Sequence, residues 1–260
     1  MSRQSVGVAR AHPLTSGDAP TSQSSSSESQ RGRGPNWVID RPSPLQNRVT
    51  PTGEIVAHPS RGLLMGNRGC IHGPDRLLGV ARWRSKLWIC CVLTWRDVRR
   101  DVMPPGRWTA LFFLDEATAL GAGHRPCGYC RRKDYLAFAE AWRVGHKLAV
   151  RPRAAELNAL LHAERVDSST RRKRTRSVTL GSLPDGAMVL HQGIPSLVLG
   201  EALLAWSFEG YGPARPFARD TSVDLLTPPS MVAAIAAGYR PLVHPSAGVT
   251  SLRVLTPVAT

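Results

Sequence analysis

The apolar residues of this chain fall into short runs broken by charge, glycine and proline, and a few stretches carry them at helical spacing. Residues 86–95 (Lys-Leu-Trp-Ile-Cys-Cys-Val-Leu-Thr-Trp) form an apolar run rich in aromatic and β-branched residues and bounded by charge, which predicts a strand. Residues 107–114 (Arg-Trp-Thr-Ala-Leu-Phe-Phe-Leu) predict its partner, and Pro104, Pro105 and Gly106 between the two make a hairpin the natural connection. Residues 49–56 read as a turn and a short strand. In residues 61–73 the glycines imply sharp turns or close backbone approach.

Helical signals follow. Asp115 fits an N-cap for residues 116–122, Gly123 fits the stop, and Pro126 forbids continuation. In residues 131–144, Tyr135, Phe138 and Trp142 recur at i, i+3 and i+7, so one face of a second helix is core. Residues 154–164 predict a third helix. Further on, residues 187–190, 196–199 and 203–208 are short strand candidates, and Pro228 and Pro229 open a helix that ends before Gly238.

The two ends lack such a pattern. Residues 1–45 include a serine-rich low-complexity stretch and an Arg-Gly run and predict a disordered tail. Residues 248–260 predict a second tail. Between them lie an α+β domain over 46–150, in which Cys127 and Cys130 at Cys-x-x-Cys spacing predict a zinc knuckle, a basic hinge over 151–177 and a small α+β unit over 178–247. The fold class is therefore α+β: a small antiparallel sheet with a zinc knuckle and flanking helices, then a smaller mixed C-terminal unit.

Composition adds charge to this picture. Lys and Arg number 34 against 19 Asp and Glu, a formal charge of +15 with a pI near 10.9. Such a field attracts polyanions, above all nucleic acid; arginine-rich usage in an Ala/Pro/Gly-rich chain also arises from a GC-rich genome. Five cysteines, unevenly spaced and without a secretory segment, point to a reducing cytoplasm and to metal or core roles. No apolar run approaches the ~20 residues of a membrane span.

The candidate chemistry centres on residues 123–132 (Gly-His-Arg-Pro-Cys-Gly-Tyr-Cys-Arg-Arg). Two thiolates at Cys-x-x-Cys spacing, Cys127 and Cys130, grip one zinc ion and need two further ligands. Cys70, His72 and Cys90 are the upstream candidates. Cys90 and Cys91 point to opposite faces of their strand, so at most one reaches the metal and the other is a small core residue. Arg131, Arg132 and Lys133 sit in the first turn of the second helix, where positive charge opposes the helix dipole. A nearby zinc thiolate or a bound phosphate would offset them, so Arg125, Arg131, Arg132 and Lys133 are candidate phosphate contacts. Arg171, Arg172, Lys173 and Arg174 form a second basic cluster, read either as a nucleic-acid contact or as a solvated linker.

Phe112-Phe113, Glu116-Ala117 and residues 122–130 together resemble the metal-binding module of Ada-type DNA repair and regulatory proteins, over about 20 residues. The resemblance implies that Cys127 and Cys130 are zinc ligands. That family places its other two ligands, one of them a methyl-accepting thiolate, as a Cys-x-x-x-Cys pair before the Phe-Phe strand; here Cys90 matches the first, and no cysteine stands four residues on. The expected function is a zinc-stabilised nucleic-acid-binding protein, DNA over RNA. One alternative is an enzyme acting on DNA through a zinc thiolate or metal-assisted hydrolysis, with Glu54, His58, His72 and His124 as the acid/base candidates. The other is a zinc-stabilised protein-interaction module.

Overall fold

The computed structural model describes residues 44–96, 101–248 and 252–254, all within one compact unit. Residues 1–43 of the expected N-terminal tail and most of the expected C-terminal tail lie outside the described residues. The described chain is α+β, with four α-helices and two six-stranded sheets. Among the described residues no helix is long and apolar enough to cross a membrane.

The first half contains β1 (Gln46–Val49), β2 (Ile55–Ala57), β3 (Leu64–Asn67), β4 (Ile89–Val92), β5 (Leu111–Phe113), α1 (Glu116–Gly121), β6 (Arg125–Pro126) and α2 (Arg132–Gly145). Its six strands form one sheet in the order β2-β1-β5-β3-β4-β6. Here the sequence expectation needs correcting: β4 and β5 exist but do not pair as a hairpin. β3 lies between them, antiparallel to both. The glycine-rich stretch, read for sharp turns or close backbone approach and not as a strand, supplies this central strand, because its glycines let neighbouring backbones close in. A Cβ on Gly66 would stand 2.1 Å from the Ile89 carbonyl oxygen and 3.0 Å from the Phe113 ring. Gly66→Ala is therefore expected to destabilise the fold by about 2 kcal/mol or more, since the obstacle is backbone and cannot rotate away. A urea titration of the variant checks this, and an unchanged midpoint would refute the tight packing at this crossing.

Helix α1 is short, yet all six of its residues are buried. Asp115 caps it as expected: its Oδ1 accepts from the Thr118 amide (2.8 Å) and hydroxyl (2.7 Å). Gly123, at φ +88°, turns the chain out of the helix. Three apolar clusters meet on α1. Ala119 packs with Val49, Leu111 and Phe113 of the first sheet. Ala117 packs with Met188, Leu197 and Leu204 of the second. Leu120 joins Phe138 and Trp142 of α2, the core face read from the sequence.

The second half holds α3 (Ala154–Arg165), β7 (Arg176–Thr179), β8 (Met188–His191), β9 (Ile194–Leu199), β10 (Ala202–Trp206), β11 (Tyr211–Pro216), β12 (Ser222–Leu225) and α4 (Pro229–Ala236). The strands form an antiparallel sheet in the order β11-β10-β9-β8-β12-β7. A short parallel pair, β13 (Leu242–Val243) and β14 (Arg253–Val254), follows. The apolar pattern locates β8, β9, β10 and α4. It misses β7 and β11, whose residues are mostly exposed and polar, glycine or proline, and also the four-residue β12, which alternates exposed and buried positions.

Two buried carboxylates tie these halves together. Asp115 Oδ2 accepts from the Tyr211 hydroxyl (2.8 Å) and the His244 amide (2.9 Å). Glu116 accepts from the Tyr239 hydroxyl (2.6 Å) and the Leu242 amide (2.9 Å). Both acids thus hold α1 against the C-terminal segment, with their oxygens occupied by internal donors.

Candidate functional site

β6 runs parallel to β4, and the Cys127 amide donates to the Cys90 carbonyl (2.9 Å). That register sets the start of the knuckle beside β4. The turn closes with the Arg131 amide donating to the Cys127 carbonyl (3.1 Å), and α2 begins immediately. Cys91, Cys127 and Cys130 are all buried, and their sulfur atoms lie within 4.8 Å of one another. The Tyr129 amide donates to Cys127 Sγ at 3.4 Å. Met65, Met103 and Ala110 close the apolar shell around the three sulfurs.

Crowding sets the protonation of the trio. Hydrogen bonds from Cys130 and then Cys91 favour a thiolate at Cys127 and hold its pKa far below the usual thiol value. Donating those bonds raises the pKa of Cys91, with burial adding to the effect, and of Cys130. Three sulfurs this close, buried and supplied with N–H donors, are the donor set of a thiophilic cation; the group is able to hold a metal ion.

The ligand set differs from the expectation in its upstream members. Of the adjacent pair on β4, Cys91 faces the knuckle. Cys90 packs with Val49, Leu111 and Phe113, and its sulfur accepts from Arg131 Nη1 at 3.5 Å. Burial raises its pKa to a value at which it stays a neutral thiol. Cys70 donates to the His72 carbonyl (3.8 Å), and the His72 ring nitrogens are 2.6 Å from Thr109 Oγ1 and 3.2 Å from the Pro104 carbonyl. Both residues are thus engaged elsewhere. Strand alternation limited the choice to one of Cys90 and Cys91, but the facing sheet neighbour that picks Cys91 is a tertiary feature.

The basic candidates separate into buried and exposed groups. Arg125 is buried: its Nε donates to Asn158 Oδ1 (2.9 Å) and its guanidinium lies 5.1 Å from the Tyr135 ring centroid. Arg131 is buried as well, with Nη2 at 2.9 Å from both Glu116 and Asp134. Burial lowers its pKa, but the Glu116 carboxylate outweighs that and holds it above the ordinary arginine value. Internal carboxylates, not an external phosphate, therefore compensate Arg131 at the start of α2. Burial removes Arg125 and Arg131 from any polyanion-facing surface, whereas Arg132 and Lys133 are exposed.

The second basic cluster lies at a cavity. After α3, Asp167 Oδ1 accepts from the Ser169 and Thr170 amides (3.0 and 2.9 Å) and closes a tight turn, and Val166 bridges to Lys173. The helix expected over 154–164 is thus followed by an ordered turn. Arg171 and Arg172 are exposed, and both line a cavity of about 590 Å³ together with Lys173. Arg174 is exposed and pairs with Asp167 at 3.3 Å. The cavity lining carries six basic residues and one acid, Glu54.

Its floor is a stack missed in the sequence. The guanidinium groups of Arg68 and Arg165 lie 4.1 and 3.9 Å from the Trp88 ring centroid. His124 sits beneath, its Nε2 accepting from Arg68 Nε (3.3 Å). Burial first, then Arg68, Arg165 and Lys173, hold the His124 pKa well below the usual histidine value, so the ring is neutral.

Comparison of the chain with protein-family models, curated proteins and solved structures finds no match.

Proposed function

We propose that this chain is a zinc-stabilised nucleic-acid-binding protein, acting on DNA over RNA. The observation that carries the reading is the exposed Arg171–Arg172 turn at the mouth of a cavity whose lining has six basic residues against one acid. Phosphate is the abundant biological anion that such a field collects. Cys91, Cys127 and Cys130 supply three thiolates for zinc, which prefers four soft or borderline ligands in a closed structural site. Zinc there would cross-link β4 to the start of α2. The local likeness to the Ada-type module supports the same assignment for Cys127 and Cys130.

Among the described residues the group offers three protein ligands, one short of a closed tetrahedral site, and that favours a second reading. In it the metal centre acts on a substrate, as a Lewis acid or by activating a thiolate.

Fluorescence anisotropy on about 20-nucleotide DNA and RNA strands, over a series of salt concentrations, tests the first reading. Binding is expected to weaken steeply with salt, and Arg171→Ala/Arg172→Ala is expected to reduce the logarithmic slope by about two. Absence of DNA binding at low salt would overturn the reading, and tighter RNA binding would overturn the DNA preference.

A further inference from the structure

Arg131 shows how this fold treats a structural buried arginine: two carboxylates stand at 2.9 Å. Arg68 and Arg165 are treated differently. They are 2% and 1% exposed, and their hydrogen-bond partners are neutral. Arg68 bonds the Gly53 carbonyl (2.9 Å) and His124; Arg165 bonds the Gly123 and Lys86 carbonyls (both 2.8 Å) and lies 3.4 Å from His162 Nδ1. Arg68 Nη2 and Arg165 Nε have no hydrogen-bond acceptor. Among the described residues, neither arginine nor Lys173 forms an ion pair with a carboxylate. The shared contact with Trp88 offsets part of the burial cost but supplies no negative charge.

Three clustered cations, two of them with unused N–H donors, line a cavity open to a ligand of nucleotide size. We infer that this cavity is a phosphomonoester site, binding the terminal phosphate of a free nucleotide or of a nucleic-acid strand on Arg68, Arg165 and Lys173. The strand-end source rests on the nucleic-acid reading; the free-nucleotide source does not.

Three observations favour this ligand class. The guanidinium fork matches phosphate oxygens in bidentate geometry. A terminal phosphate is close to dianionic at neutral pH, whereas an internal phosphodiester carries one charge, so a site with three uncompensated cations discriminates in favour of ends. The volume of about 590 Å³ exceeds what phosphate fills, and half-buried Trp83 with Leu190 and Leu226 offers apolar wall for a base or sugar. Burial, followed by the neighbouring Arg68 and Arg165, pulls the Lys173 pKa down to about 7, and burial and then Arg82 lower Arg68 to about 9. Both directions are those of a site short of negative charge.

The test uses the full chain, adenosine 5′-monophosphate against adenosine, and single-stranded DNA of one sequence bearing a 5′-phosphate, a 3′-phosphate or hydroxyl ends. The nucleotide is expected to raise the melting temperature where adenosine does not, and a phosphorylated end to bind about tenfold tighter than the hydroxyl-ended strand. Lys173→Met is expected to lose the phosphate-dependent gain while keeping or raising the melting temperature without phosphate, since it removes a half-buried charge that donates only to the Gly121 carbonyl and has no carboxylate partner. Arg82→Ala, at the exposed rim, provides a second variant that does not disturb the floor. Nucleotide binding without any strand binding would keep the site and overturn the nucleic-acid reading. Equal strand binding whatever the end, with no effect of the nucleotide, would overturn the phosphomonoester site and leave the nucleic-acid reading standing. If none of the probes binds, both fall.

Discussion

Cys91→Ser is expected to abolish metal binding as completely as Cys127→Ser or Cys130→Ser, while Cys90→Ser and Cys70→Ser retain the ion. The sulfurs of Cys91, Cys127 and Cys130 lie within 4.8 Å of each other, and Cys90 and Cys70 face other partners. Loss of the ion should also cost stability. A structural zinc brings on the order of 10 kcal/mol to a small domain that folds only around it. Here an apolar cluster of Met65, Met103 and Ala110 already packs against the sulfurs, so the expected loss is a smaller share, on the order of several kcal/mol. Elemental analysis of the purified variants, paired with melting curves before and after chelation, reads both effects. One equivalent of zinc retained by Cys91→Ser, or lost by Cys90→Ser, would refute the assignment.

The second large effect concerns a charge that has nothing to do with ligands. Glu116→Ala is expected to destabilise the protein by about 3–5 kcal/mol, because it leaves the buried Arg131 guanidinium without its innermost partner. The same change strands the Tyr239 hydroxyl and the Leu242 amide, which both donate to Glu116. Asp134→Ala is expected to cost less, since Asp134 is partly exposed and water can replace it. Combining Glu116→Ala with Arg131→Met should recover part of the loss, as removal of both charges relieves the unpaired one. Urea unfolding of the two single variants and the double variant decides the matter. A loss below about 1 kcal/mol for Glu116→Ala would show that Arg131 is compensated from elsewhere.

The knuckle, the cap at Asp115 and the stop at Gly123 were legible because each signal spans only a few residues. A carboxylate that reaches its own helix's Thr118 amide, or a glycine that accepts φ +88°, answers to neighbours within one turn of chain. The core face of α2 was equally legible, since Phe138 and Trp142 repeat at helical spacing. Pairing was not. Nothing in the residues of β4 and β5 announces that β3 separates them; that depends on Gly66 finding Ile89 and Phe113 across space.

The sequence by itself determined the α+β class, the strands β4 and β5 and the helices α1 and α2 of the first half, and the presence of a Cys-x-x-Cys knuckle in a strongly basic chain. Tertiary structure alone decided which of two adjacent cysteines joins that knuckle, because alternation offers two faces and only the parallel pairing of β6 with β4 selects one. It also decided which cations are solvent-facing. Arg125 and Arg131 read as surface groups in a basic string, but packing turned them inward against Asn158 and Glu116. Arg68 and Trp88, far in the chain from Arg165 and Lys173, joined them in one stack and one cavity. Local propensities act over a few residues, whereas counter-charges and cavities are set by contacts across the whole fold.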